Sequence, residues 1–125
     1  MTVERIDLNP EMKWTFSTYV IAGDFIYTSH LGALVDDGGN KLMDVAGQTD
    51  QCFRNMKRVL ETAGATLNDV VKTTVYLKDL KDFHEMREVY RHQFTDGYPA
   101  RMTATTEFIE PDCLVMIEAV AYKPR

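Results

Sequence analysis

Residues 69–77 of the chain read Asp-Val-Val-Lys-Thr-Thr-Val-Tyr-Leu, and this stretch decides the fold. Its run of β-branched residues is typical of a strand. On its N-terminal side, apolar residues recur at three- and four-residue steps from Val45 to Ala63, which predicts a helix that Gly64 ends. On its C-terminal side, Asp82 is followed three residues later by Glu85, the capping-box spacing that begins a second helix. A strand between two helices requires crossover connections.

Four further strands are predicted around this centre. Thr18–Ala22 and Phe25–Ser29 are predicted to form a hairpin around the turn residues Gly23-Asp24, and Arg101–Phe108 and Leu114–Tyr122 are the last two strands of the chain. The element order is β-β-α-β-α-β-β. This order predicts an α+β protein with one mixed sheet and both helices on one face.

Composition limits the classes of function. The chain has 125 residues, so we expect one domain over residues 1–125. The net charge of −5, with no basic cluster, argues against a nucleic-acid partner. The first ten residues have no apolar segment of the signal-peptide kind, and no apolar run approaches the ~20 residues that span a bilayer, so we expect a cytoplasmic protein with no membrane partner.

No pattern in the sequence calls for a metal or a cofactor. The two cysteines, Cys52 and Cys113, match no metal-binding spacing, and Cys52 lies in the apolar pattern of the first helix, where a buried small side chain is expected. Gly38-Gly39 lacks the lysine and the helix pattern of a phosphate-binding loop. We therefore expect neither a metal site nor a cofactor.

One face of the predicted sheet has no helix to cover it. In the last strand Val115, Ile117, Ala119 and Ala121 share one face, and the opposite face is also largely apolar. A second copy of the chain is the economical way to bury that face.

Arg101 is the first candidate for a binding residue. Pro99 fixes its own backbone and holds Tyr98 extended, so Arg101 enters its strand from a stiff segment. A guanidinium held in this way suits bidentate capture of a carboxylate. Taken alone, an arginine at a strand start is more often a surface or salt-bridge residue.

The surrounding motifs strengthen the functional interpretation. The chain carries, in order, Tyr-Thr-Ser at 27–29, Val-Lys-Thr-Thr-Val at 71–75, Tyr-Pro-Ala-Arg at 98–101 and Ile-Glu-Ala-Val-Ala at 117–121. From about residue 17 to residue 122 it resembles the reactive-intermediate deaminase family, also called YjgF/L-PSP. The resemblance implies a chorismate-mutase-like α+β fold, with a mixed six-stranded sheet and two helices on one face, assembled as a homotrimer with ligand clefts between subunits.

The resemblance also implies an activity and its residues. In the family, the Pro-Ala-Arg arginine binds the carboxylate of a 2-imino acid or its enamine tautomer, and a glutamate on the last strand positions the water that releases ammonia. Arg101 matches that arginine and Ser29 matches a serine of the pocket wall.

Several positions of the implied pocket depart from the family pattern. His30 replaces a glycine, Phe16 a tyrosine, Thr103 a frequent cysteine, Arg87 a frequent asparagine, and Met116 the water-positioning glutamate. These departures predict a substrate unlike the simple imines of alanine- or threonine-sized precursors. A larger or dicarboxylic substrate would use Arg87 as a second cationic contact.

A thioether is a poor acceptor, so Met116 cannot position water. Two residues could substitute for the missing acid. The first is Glu118, which lies two residues after Met116 on the same face of the last strand. A structural ion pair is the simpler interpretation of Glu118. His30 is the second candidate, because an imidazole can both accept and donate a proton, and its alternative is a histidine packed at a subunit boundary.

Three functions remain open at this point. The first is an enzyme that deaminates a small enamine or imine carboxylate to a 2-oxo acid. The second is a trimer that binds 2-oxo acids without turnover, which Met116 favours. The third, endoribonuclease activity, follows the family's older name, and the negative charge argues against it.

Overall fold

The computed structural model describes residues 2–125, and its elements follow the predicted order with two additional strands. There are seven strands, two α-helices and three short 3₁₀ turns in this part of the chain. The strands and helices are β1 Val3–Ile6, β2 Tyr19–Ala22, β3 Phe25–Thr28, β4 Leu31–Gly32, α1 Val45–Thr62, β5 Val70–Leu77, α2 Phe83–Arg91, β6 Ala100–Thr105 and β7 Val115–Tyr122.

All seven strands belong to one mixed sheet. Its order is β1-β2-β3-β7-β5-β6, and β4 pairs with β7 beyond the end of β3. Only β5 and β6 run parallel, with Thr73 opposite Arg101, and the other pairings between the described strands are antiparallel. The strand predicted from residues 69–77 therefore lies beside β7 and positions Arg101 on the sheet edge.

The sheet has seven strands, two more than the five that the sequence patterns predict, and six of them form the continuous strand order. The sequence analysis missed β1, which places charged Glu4 and Arg5 at the sheet edge, where charged residues are common and weaken the apolar alternation. It also missed β4, which is only two residues long.

The predicted end of β6 is also corrected, from Phe108 to Thr105. Its neighbour β5 stops at Leu77, whose carbonyl accepts a final bond from the Thr106 amide. Beyond this point the chain has no strand beside it to continue the ladder.

The core lies between the helices and one face of the sheet. Phe53, Met56 and Leu60 on α1 are fully buried, and Met86 of α2 joins the same cluster. The sheet contributes alternate residues, among them Ile26, Val75, Val115, Ile117 and Ala121. Cys52 is buried as expected and has no exposed surface.

The opposite face of the sheet carries apolar and aromatic side chains with no helix against them. Phe25 packs beside Tyr122 with ring centroids 5.2 Å apart, and both rings remain exposed. Tyr27 is 45% exposed opposite Val120, and Met102 on the edge strand is 60% exposed. We call this surface the open face.

Among residues 2–125, no helix is long and apolar enough to cross a membrane.

Gln48 is a buried polar residue that links α1 to two loops. Its amide donates to the carbonyls of Leu42 and Asp112, at 3.1 and 2.9 Å, and its oxygen accepts from the Leu114 amide at 2.8 Å. All three bonds are made in a site from which water is excluded, since Gln48 has no exposed surface.

Replacing Gln48 with methionine is expected to lower the free energy of unfolding by about 2–4 kcal/mol, because buried backbone groups lose their partners. Urea unfolding followed by circular dichroism measures this change. Gln93→Met is the control, since half-buried Gln93 donates a single bond to the Val89 carbonyl and should cost less than about 1 kcal/mol. Equal losses in the two variants would contradict a linking role for Gln48.

Candidate ligand-binding clefts

Arg101 lies on β6 with its guanidinium against aromatic rings of α2. Its pairing with Thr73, which is buried, places it on the helix side of the sheet. The guanidinium carbon is 4.8 Å from the ring centre of Tyr90 and 5.8 Å from that of Phe83. Cation–π contacts of this kind hold a guanidinium while leaving its N–H groups free for a ligand.

Tyr98 secures the segment that leads into Arg101. Its hydroxyl donates to the Arg91 carbonyl at 3.1 Å, and its ring lies nearly parallel to that of Tyr90. Pro99 then fixes the backbone angle immediately before β6. The stiff approach expected from the sequence therefore has a tertiary cause as well as a local one.

The ring of Tyr90 lies against the Arg101 guanidinium, and its phenol is neutral. Its hydroxyl is 2.8 Å from the Thr73 hydroxyl in the protein interior. Burial raises the pKa of Tyr90, and the hydrogen bond to Thr73 and the charge of Arg101 only partly oppose that effect. The phenol thus provides no negative charge to neutralise Arg101.

These residues enclose a cleft of about 350 Å³, which we call the arginine cleft. Arg87 and Arg91 of α2 join Arg101 in its wall. Arg91 is paired with Glu88 at 3.3 Å, whereas no ion pair within residues 2–125 involves Arg87 or Arg101. The arginine cleft is therefore suited to an anion. Its lining residues are Arg87, Tyr90, Arg91, Tyr98, Pro99 and Arg101.

A second, larger cleft of about 1000 Å³ contains most of the other predicted site residues. Phe16, Ser29, His30 and Met116 all line it, so the structure brings these four residues together. Phe16 lies between Trp14 and His30, with ring centroids 5.2 Å from each. We call this the histidine cleft.

The two clefts do not meet within one chain. No residue lines both of them, and Arg101 lies on the helix side of the sheet, whereas Met116 projects on the open side. Thr103 lies two residues after Arg101 on the same side of β6 and lines neither cleft.

Glu118 occupies a separate position on the open face. It lies opposite Thr74 and is 3.5 Å from the Tyr76 hydroxyl. A shallow depression near it is lined by Tyr27 and Lys72, and Glu118 lines neither the arginine cleft nor the histidine cleft. Within one chain, Glu118 is thus separated from both Arg101 and His30.

The sequence analysis missed two carboxylates of the histidine cleft, Glu107 and Glu110. Alternation along the expected strand Arg101–Phe108 puts Glu107 on the same side as Arg101, but β6 ends at Thr105, so alternation no longer applies at Glu107. The available signal was the position of both residues in the loop between two strands, where functional side chains are frequent.

The buried thiols are poor candidates for nucleophiles. Burial raises the pKa of Cys52 to about 12, and it raises the pKa of Cys113, which lines the histidine cleft. Both would be protonated at neutral pH, and a thiol is a weak nucleophile in that form. Residues 2–125 contain no cluster of three or more His, Cys, Asp or Glu side chains that could hold a metal ion.

The fold is that of an α+β protein with a cleft lined by three arginine side chains. The sequence profile described as Endoribonuclease L-PSP matches residues 7–123. The chain therefore belongs to this family, which is also called YjgF/L-PSP, as the resemblance implied.

A bacterial deaminase and an archaeal RutC family protein are similar to this chain over most of their length. The chain is 36% identical over 104 residues to the 2-iminobutanoate/2-iminopropanoate deaminase of Escherichia coli, covering 81% of each protein. It is 41% identical over 115 residues to a RutC family protein of Pyrococcus abyssi, covering 91% of each.

A solved structure agrees with the fold. The structure of a YjgF/YER057c/UK114 family member from Mycobacterium tuberculosis superposes with a TM-score of 0.83 at 28% identity, covering 97% of this chain and 99% of that one.

Proposed function

We propose that this protein hydrolyses 2-imino acids, or their enamine tautomers, to 2-oxo acids and ammonia. Water adds to C2 of the C=N bond and the nitrogen leaves as ammonia, so a C=O bond replaces the C=N bond without a cofactor. The observation that carries the proposal is the Arg101 guanidinium, which is held on Tyr90 without an acidic partner in the described chain. The deaminases among its relatives support the reaction type.

Arg101 would bind the substrate carboxylate through two parallel N–H bonds. Holding that group fixes C2 relative to the protein, and such positioning is a large part of the catalysis of a simple hydrolysis. The reaction then needs a group that orients water and accepts its proton.

A site between copies of the chain would supply that group. Each chain has an arginine cleft and a histidine cleft that share no lining residue, and each chain exposes the apolar open face. We propose that copies associate through this face as a homotrimer, so that the arginine cleft of one meets the histidine cleft of the next. His30 and Glu107 would then be the candidates to position water in place of Met116, ahead of Glu118.

The test is acceleration of ammonia release. An amino-acid oxidase with catalase generates 2-iminopropanoate or 2-iminobutanoate in situ, and ammonia is followed with and without the protein. We expect faster release that scales with protein concentration, and the same acceleration by Arg54→Ala, a control on the exposed side of α1. An unchanged rate across several imino acids would exclude the deaminase proposal.

Binding without turnover is the second candidate, and Met116 favours it. This side chain lines the histidine cleft where the family places an acid. A protein of this kind would bind 2-oxobutanoate in calorimetry and fail to accelerate ammonia release. The two measurements together separate the candidates.

A further inference from the structure

Two arginines of the arginine cleft, Arg87 and Arg101, make no ion pair with an acidic side chain of residues 2–125. Phe83, Arg87 and Tyr90 follow one another at helical spacing on α2, and Arg101 approaches from β6. The guanidinium carbons of Arg87 and Arg101 are 5.6 and 5.8 Å from the centre of the same Phe83 ring. Both cations therefore contact the same aromatic ring and line the same cleft.

The side chain of Arg87 has an unsatisfied polar atom. Its Nε is buried and makes no hydrogen bond to any described residue. A buried donor of a charged group is costly when it has no acceptor, so such an atom indicates a missing partner. Thr49 Oγ1 is the only other buried side-chain polar atom of residues 2–125 in this condition.

The remaining groups of the cleft do not provide the partner. The third cation, Arg91, is already paired with Glu88. Tyr98 donates its hydroxyl hydrogen to a carbonyl, and the Tyr90 hydroxyl is occupied by Thr73. No Asp or Glu lines the cleft. Two neighbouring cations of like charge repel each other unless an anion lies between them.

We infer that the arginine cleft takes a substrate with two carboxylates: Arg101 binds the one next to the imine carbon, and Arg87 binds the distal one. The inference rests on the proposed function and names its substrate class, 2-imino dicarboxylates such as 2-iminosuccinate and 2-iminoglutarate. One carboxylate satisfies Arg101, and the second satisfies the buried Arg87 donor. A monocarboxylate leaves Arg87 unpaired.

The test compares the two substrate classes. An amino-acid oxidase acting on aspartate or glutamate generates the dicarboxylic imines, and 2-iminobutanoate is the monocarboxylic reference. The wild type should favour the dicarboxylic imines in kcat/KM. In Arg87→Asn the ratio of dicarboxylic to monocarboxylic kcat/KM should fall by about 10- to 100-fold, the effect of one charged hydrogen-bonding contact. Arg87→Lys should restore part of that ratio, and Arg54→Asn on the exposed side of α1 should keep it.

The outcomes distinguish the inference from the function it rests on. Turnover of 2-iminobutanoate with a ratio unaffected by Arg87→Asn overturns the inference and keeps the deaminase. The inference is also overturned if Arg87→Asn dissociates the assembly without changing the ratio, because a carboxylate of a neighbouring copy is then the partner of Arg87.

If no imine is hydrolysed, the deaminase proposal fails and calorimetry tests the cleft separately. Tighter binding of 2-oxoglutarate than of 2-oxobutanoate, lost in Arg87→Asn, supports the dicarboxylate site. Equal binding of the two overturns it. Inorganic phosphate is the third probe. If it binds as tightly as 2-oxoglutarate and its binding is lost in Arg87→Asn, the dicarboxylate inference is overturned in favour of a phosphate site.

Discussion

Arg101→Ala is expected to lower kcat/KM for 2-imino acids by about 100- to 1000-fold. The change removes a bidentate charged contact, and two such hydrogen bonds contribute about 3–4 kcal/mol. The protein should remain folded, since Arg101 is exposed and its contacts with the Tyr90 and Phe83 rings stabilise the fold by only about 1 kcal/mol. Steady-state kinetics on the in situ imines and calorimetry with the corresponding 2-oxo acid measure the two effects.

Arg101→Lys is the informative companion variant. It keeps the positive charge and loses the planar pair of donors, so we expect an intermediate loss of roughly 10-fold or more. Thermal unfolding shows whether either variant has lost its fold. If a folded Arg101→Ala protein binds the 2-oxo acid with unchanged affinity, the arginine cleft is not the ligand site.

Val120→Glu is expected to convert the proposed trimer to monomers and to abolish turnover. Val120 lies on β7 opposite Tyr27, in the middle of the open face. Burying one unpaired carboxylate per subunit in an apolar interface costs several kcal/mol each, which exceeds what a moderate interface can offset. Analytical ultracentrifugation measures the change in mass.

Val35→Glu is the matched control for that experiment. Val35 is 50% exposed in the loop between β4 and α1 and lines neither cleft, so the same substitution there should leave the mass unchanged. A wild-type protein that sediments as a monomer would overturn the trimer proposal, as would a trimeric and fully active Val120→Glu protein.

Local sequence patterns were sufficient for most elements of the fold. The β-branched run at residues 70–77, the apolar spacing of α1 and the Asp82–Glu85 spacing before α2 are each local signals, and the structure confirms all three elements, although Asp82 makes no side-chain capping bond. The strands that were missed, β1 and β4, lack such signals, because one is a charged edge strand and the other has two residues. Their existence depends on the neighbours with which they pair.

Arg101 is the site residue that the sequence determined most completely. The proline before it and the motif around it predicted a guanidinium held on a stiff segment, and the pairing with Thr73 then placed it on the helix side of the sheet. The tertiary structure decided what surrounds it: the Tyr90 and Phe83 rings beneath it, and the neighbouring Arg87 with its unsatisfied donor. These contacts join a helix to a strand distant in sequence, and only packing can specify them.

The positions of the carboxylates were likewise decided by the tertiary structure. Alternation along a continuous strand grouped Glu107 with Arg101, but the end of β5 stops the ladder at Thr106 and turns Glu107 into the histidine cleft. Glu118 follows the alternation of β7 and lies on the open face, away from both clefts. The sequence by itself thus determined most of the elements and singled out Arg101 as the candidate anchor. The lengths of neighbouring strands decided which acids share a cleft, because a strand continues only as far as the strand with which it pairs.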